Sequence, residues 1–287
     1  MRAEHDALVR LWVRMNKRLI TGLVIAVLLI PLLWLPTLIF SLFVAIALLV
    51  STFELTRMYL KDRQTKPYWY LLGYGYAALF YVTTIAVTIY GANPLWFMIV
   101  LGLLLGLLQM SLVFEPKMTY SIVGKLFLST LYVGIGWAAI VFIKHEGLAV
   151  IFYLLFITLF TDMFAYYIGM RFGKHKMAPQ VSPKKSWEGA IGGTFVAVVI
   201  ATIQGLVFNV FDLSTNVRTV ILLVFVGIIV SISGQLGDLM ASKLKRDHQM
   251  KDFSNIFPGH GGVLDRFDST LFASYALFIV LMIERLL

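Results

Sequence analysis

Residues 238–268 read DLMASKLKRDHQMKDFSNIFPGHGGVLDRFD, and the spacing of their acids, cations and glycines suits phosphate chemistry. On a helix Asp238, Ser242 and Lys245 fall at i, i+4 and i+7, so a carboxylate, a hydroxyl and an ammonium share one face. The PGHGG run at 258–262 adds Gly259, Gly261 and Gly262, which let backbone amides approach an anion closely. Asp265, Arg266 and Asp268 follow and open an apolar span, where a helix N-terminus favours phosphate. Asp265 and Asp268, at i and i+3, reach the same helix end. Two carboxylates there repel unless a cation lies between them, and oxygen donors beside phosphate suit Mg²⁺. His260 reads either as a ligand or phosphate donor, or as a histidine packed in a bend. His248 and His175 show no zinc-ligand spacing with it, and a chain without cysteine offers no thiolate site, cysteine nucleophile or disulfide.

A second cationic element lies upstream, GMRFGKHKMAPQVSPKKSWEGAIGG at 169–193. Pro179 and Pro183 break helix, and Ser182 or Ser186 could cap the span beginning at Trp187 and Glu188. Lys184 and Lys185 read as contacts to nucleotide phosphates or an anionic lipid head group, although the cations here also satisfy a plain topology-setting flank. Asp162, Glu188, Asp238, Asp265 and Asp268 all fall at span ends of one membrane face. Carboxylates at membrane depth are costly. Their clustering among loop cations points to a site for an anionic group together with a metal.

The elements that must position these residues are membrane helices. Of 287 residues 60% are hydrophobic and only 14% charged, far below a soluble domain's share of charge, which excludes a soluble nucleotide-binding domain or a disordered chain. Apolar runs at about 19–35, 37–53, 71–90, 95–113, 121–143, 148–168, 189–211, 217–236 and 267–284 are each near the length that crosses a bilayer. With a cytoplasmic N-terminus, 21 of the 24 Lys and Arg fall inside, leaving Lys144, Arg218 and Arg285 outside. The expected fold is thus an all-α polytopic membrane protein of about nine transmembrane helices, N-terminus cytoplasmic and C-terminus outside. Residues 1–145, spans one to five, read as a scaffold, and 146–287, spans six to nine, as the catalytic region. Residues 1–18 read as retained, either flat in the headgroup layer through Leu8, Leu11, Trp12 and Met15 or as a basic flank. Gly102 and Gly106 form a GxxxG in span four, and Gly134 and Gly136 lie in span five; either pair could permit close helix contact, with chance matching the commoner explanation.

Ser242-Lys243-Leu244-Lys245-Arg246, then Lys251-Asp252, then Phe257 through Asp268 resembles the signature of phosphatidate cytidylyltransferase, the CDP-diacylglycerol synthase family, over 27 residues. Asp162, AYYIGMRFGKHKMAP and SPKKSWEG are similar to the same family, so the resemblance covers about 158–272. It implies condensation of CTP with phosphatidic acid to give CDP-diacylglycerol and pyrophosphate for phospholipid synthesis. It also implies a set of roles, with Asp238, Asp265, Lys245, Arg246 and His260 in catalysis and Asp238, Asp265 and Asp268 on metal. Substrate binding would fall to Lys184, Lys185, Ser182, Ser242, Lys251, Asp252, Gly259, Gly261, Gly262, Arg266 and Asp162. Mg²⁺ is the implied cofactor, with a second, monovalent cation left open. The implied setting is a homodimer in the cytoplasmic (inner) membrane, its site facing the cytoplasm, with lipid and CTP as partners and no nucleic acid. Ala241 stands where many members have an acid, which removes any auxiliary metal ligand there. A CDP-alcohol phosphotransferase would need an acid motif that is missing. A cation-coupled transporter would place its acids at the midplane of both halves.

Overall fold

The computed structural model describes residues 30–60, 68–114, 118–211, 216–257, 259 and 261–286. Its helices are α1 (Thr37–Leu60), α2 (Tyr68–Thr88), α3 (Leu95–Phe114), α4 (Tyr120–Glu146), α5 (Leu148–Phe172), α6 (Trp187–Val207), α7 (Val217–Asp247) and α8 (Leu264–Leu286). A two-stranded antiparallel hairpin, β1 (Lys176–Ala178) and β2 (Ser182–Ser186), joins α5 to α6. Seven helices, α1 and α3 to α8, are long and apolar enough to cross a membrane, and α2 runs for 21 residues beside them. The protein is a helical, multi-pass membrane protein. Residues 19–29 of the expected first span, and the segment 1–18, lie outside the described residues.

One helix runs well beyond its apolar stretch. The span expected at 217–236 continues to Asp247, since GDLMASKLKRD is rich in helix formers and broken by no proline. The run 238–268 is therefore a helical extension to Asp247, a short connection, and the first turn of α8 from Leu264. The segment between α5 and α6, where the prolines were expected to break helix, is a hairpin. Pro179 and Pro183 exclude helix there, and Val181 N donates to Ala178 O at 3.1 Å to close the turn.

α4 is the most enclosed helix and runs between the two halves of the chain. One apolar core joins them, from Leu48 and Leu55 on α1 through Val133 and Trp137 on α4 to Leu271 and Leu277 on α8. The Trp137 ring packs tilted against Phe267, centroids 4.8 Å apart, and its Nε1 donates to Ser51 Oγ at 3.2 Å.

Small residues set the closest approach. A Cβ on Gly193 would lie 2.7 Å from Ala165 N and Thr161 O, and one on Gly189 would lie 2.5 Å from Ala165 O. Gly189 and Gly193 therefore form the GxxxG that draws α6 against α5. The Gly102–Gly106 pair has nothing within 4 Å of either Cβ position, because that face of α3 meets no other helix among the described residues. Gly134 and Gly136 do lie in contacts, against Ala77 and Phe80 on one side and Leu271 on the other.

Candidate active site

The site forms where the C-terminal ends of α1, α5 and α7 meet the N-terminal ends of α6 and α8. Along α7, Ser242 Oγ donates to Asp238 Oδ1 at 3.4 Å, so the expected i, i+4 face exists. One turn on, Lys245 Nζ donates to Asp265 Oδ1 at 2.7 Å and lies 3.9 Å from Asp268 Oδ2. The cation expected between the two carboxylates of α8 is, in this arrangement, the Lys245 ammonium. The Phe253 ring lies 5.0 Å from it in a cation–π contact.

The described residues between α7 and α8 then fold back on α8. Met250 N donates to Lys245 O at 2.8 Å, and Phe257 N donates to Gly261 O at 2.9 Å. Gly259 and Gly261 have φ of +80° and +82°, a conformation for which glycine is suited. This shape aims amides at carboxylates. Asp265 Oδ2 accepts from Phe253 N at 2.8 Å and from Gly262 N at 2.9 Å. Glu54, from the middle of the expected scaffold, accepts from Ser254 Oγ at 2.5 Å, Val263 N at 2.9 Å and Leu264 N at 2.8 Å. The helix N-terminus and glycine loop do bind anions, as their amides dictate. The anions seated there are the protein's own.

The hairpin brings the second lysine. Ser186 caps α6, its Oγ accepting from Gly189 N at 3.2 Å, and so resolves the choice between Ser182 and Ser186. Glu188 in the first turn of α6 accepts from Lys174 N at 3.1 Å and lies 2.6 Å from His175 Nδ1, which fastens β1 to the helix. With the hairpin fixed, Lys185 Nζ sits 2.5 Å from Asp238 Oδ2, close but off hydrogen-bond geometry. Successive strand residues face opposite ways, so Lys184 is exposed while Lys185 is half-buried. On α5, Asp162 accepts from Ser269 Oγ at 3.3 Å and interacts electrostatically with Asp238 and Lys185.

The fold thus brings together Asp162, Lys185, Asp238, Ser242, Lys245, Asp265 and Asp268, with Gly261 and Gly262 behind Asp265. Lys184, Arg246, Lys251, Gly259 and Arg266 are exposed around them, with Ser182 and Asp252 partly covered. Arg246 donates to Met250 O at 3.3 Å at the end of α7. His260 lies outside the described residues. Glu54, at the cytoplasmic end of the span expected at 37–53, is the residue that sequence reasoning left in the scaffold; a lone acid closing an apolar span was the signal.

Among the described residues no ready cage of three acidic or imidazole groups exists for a metal. The donor chemistry still fits a hard divalent cation. Four carboxylates face two ammonium groups, leaving a formal excess of two negative charges with oxygen as the only donor. Asp238 is partly exposed, with Lys185 on one oxygen and Ser242 on the other, whereas Asp265 is buried with both oxygens bonded to Lys245 and two backbone amides.

Residues 16–284 match the cytidylyltransferase family. A phosphatidate cytidylyltransferase of Bacillus subtilis is 39% identical over 178 residues, covering 61% of this chain and 64% of that protein. One of Staphylococcus haemolyticus is 43% identical over 155 residues, covering 54% of this chain and 57% of that protein. In both cases the chain matches less than two thirds of the relative's length.

Proposed function

Because the chain belongs to the cytidylyltransferase family, we propose that it transfers the cytidylyl group of CTP to phosphatidic acid, giving CDP-diacylglycerol and pyrophosphate. The observation that carries this reading is the cluster in which Lys185 and Lys245 sit among four carboxylates at one end of the helices. Phosphatidate is a phosphomonoester whose second pKa is about 6, so it presents a deprotonated oxygen at neutral pH and needs no strong general base. That oxygen attacks the α-phosphorus of CTP, the bond to the β-phosphate oxygen breaks, and pyrophosphate leaves with the electron pair. Catalysis then reduces to alignment and to neutralising phosphate charge. Lys185 reaches the cluster from the hairpin and is the cation placed to exchange Asp238 for a substrate phosphate. Lys245, buried against Phe253, keeps Asp265 and Asp268 in place.

Mg²⁺ would be held by Asp238 with Asp265 and Asp268, and when bound it would neutralise the polyphosphate of CTP and its leaving group. The reading includes nine spans, a cytoplasmic N-terminus and a site facing the cytoplasm of a bacterial cell membrane. Its support is charge: among the described cations only Lys144, Arg218 and Arg285 lie at the far helix ends. A homodimer belongs to the reading through the family resemblance. The test is radiolabelled CTP with phosphatidate in detergent micelles. Label should pass into the lipid fraction with stoichiometric pyrophosphate, only when Mg²⁺ and both substrates are present. Purified, folded protein that transfers no label at any Mg²⁺ concentration would overturn the reading.

A further inference from the structure

Glu54 is 1% exposed, which makes it one of the most enclosed ionisable residues among those described. A buried carboxylate is tolerated only where donors replace water. Its three donors, Ser254 Oγ and the amides of Val263 and Leu264, all come from the segment that closes onto α8, some 200 residues away in sequence. One oxygen takes Ser254 and Val263 while the other takes Leu264, so a single side chain on α1 caps the first turn of α8 and pins the loop leading to it. Gly262 stands against it so closely that a Cβ there would collide with the Glu54 carboxyl group and come within 2.6 Å of Ser254 Oγ. The neighbouring amide, Gly262 N, is the one that fixes Asp265 Oδ2, and Asp265 in turn holds Lys245.

We propose that Glu54 is a positioning residue for the nucleotidyl-transfer site, acting through the 253–264 loop on Asp265 and Lys245. The proposal rests on the reading of function given above. It makes α1 part of the reaction machinery, because the orientation of the Asp265 carboxyl depends on a loop whose shape Glu54 sets. Replacing the carboxylate by an amide keeps its volume but turns an NH₂ toward a backbone N–H, so donor faces donor. Shortening it by one methylene leaves the charge but withdraws it from at least one of the two amides.

The test uses the full chain in detergent, with Glu54→Gln, Glu54→Asp and Ser254→Ala. Amide hydrogen exchange of the unliganded proteins should quicken in 253–264 and stay unchanged in α4 to α7. Per folded molecule, kcat should fall about tenfold to a hundredfold in Glu54→Gln, as a small misplacement does, while the KM for phosphatidate moves less than about threefold. Ser254→Ala, which removes one donor and leaves both amides bound, should fall between it and the wild type. A glutamate that serves folding alone would lower the folded yield and leave kcat per folded molecule unchanged, which overturns the proposal. So would unchanged exchange in the loop, or faster exchange spread over all helices. An inactive wild-type chain would instead sink the reading of function, and the exchange data would then decide by themselves whether Glu54 holds the loop.

Discussion

Asp238 and Asp265 carry the same side chain into different surroundings, and their replacement should separate chemistry from folding. Asp238 is half-exposed and meets Lys185 and Ser242. Asn at 238 strands no backbone amide but takes the counter-charge from the buried Lys185 ammonium, so activity should drop at least about a hundredfold with a smaller loss of melting temperature than replacement of Asp265 brings. Asp265 receives Lys245 and two buried amides, and an Asn there would face one of those N–H groups with its own NH₂. Asp265→Asn should lose activity and also about 1–3 kcal/mol of stability, read as a lower unfolding midpoint in the same detergent. Equal melting of the two variants would show that Asp265 does not hold the loop. The lysines differ likewise: Lys185→Ala should raise the KM for CTP or phosphatidate, whereas Lys184→Ala, exposed on the opposite strand face, should change it far less. A larger effect at 184 would mean that the hairpin presents its other face to substrate. The face shared by Asp238, Ser242 and Lys245 was legible because helical periodicity fixes it. The Lys184–Lys185 distinction was not, because it depends on the strand that the prolines impose.

Between helices, glycine position decides what can approach what. Gly193→Ala would put a methyl group against backbone atoms of Ala165 and Thr161, which cannot rotate away. The expected cost is about 1–3 kcal/mol of overpacking, together with lost activity, since α5 and the hairpin on α6 carry Asp162 and Lys185. Gly102→Ala and Gly106→Ala meet nothing within 4 Å and should leave both melting and turnover nearly unchanged. Reversal of that order, measured by thermal unfolding in one detergent, would remove the α5–α6 contact from the account. Both pairs read as GxxxG, so sequence spacing alone could not choose between them. The choice lies in which helix face finds a partner. Helix ends were blurred for a related reason: hydropathy marks where lipid ends, while propensity and side-chain pairing mark where the helix ends. α7 outlasts its apolar stretch by a full three turns on that account.

At the scale of the whole molecule the two ends of the bundle are chemically unlike. The far end closes with Arg285 on Glu146 and on Thr88 O, and with Lys144 donating to Leu35 O at 2.5 Å. The other end gathers the acids, the hairpin and most of the cations. Apolar spans and the charge bias between their ends were therefore readable before any coordinates, whereas the long-range tie from Glu54 to Leu264 was not, because no periodicity links α1 to α8. The proposed membrane orientation rests on the charge bias and can be measured without disturbing the fold. The chain has no cysteine, so a single introduced thiol is the only one to react. Lys243, exposed on α7, and Tyr90, exposed after α2, sit at opposite ends of the bundle, and neither belongs to the reaction machinery. In intact cells a membrane-impermeant maleimide should label Tyr90→Cys and spare Lys243→Cys, and permeabilised cells should label both. The reverse pattern would put the acid cluster outside, away from cytoplasmic CTP, and the proposed reaction could not then draw on that pool.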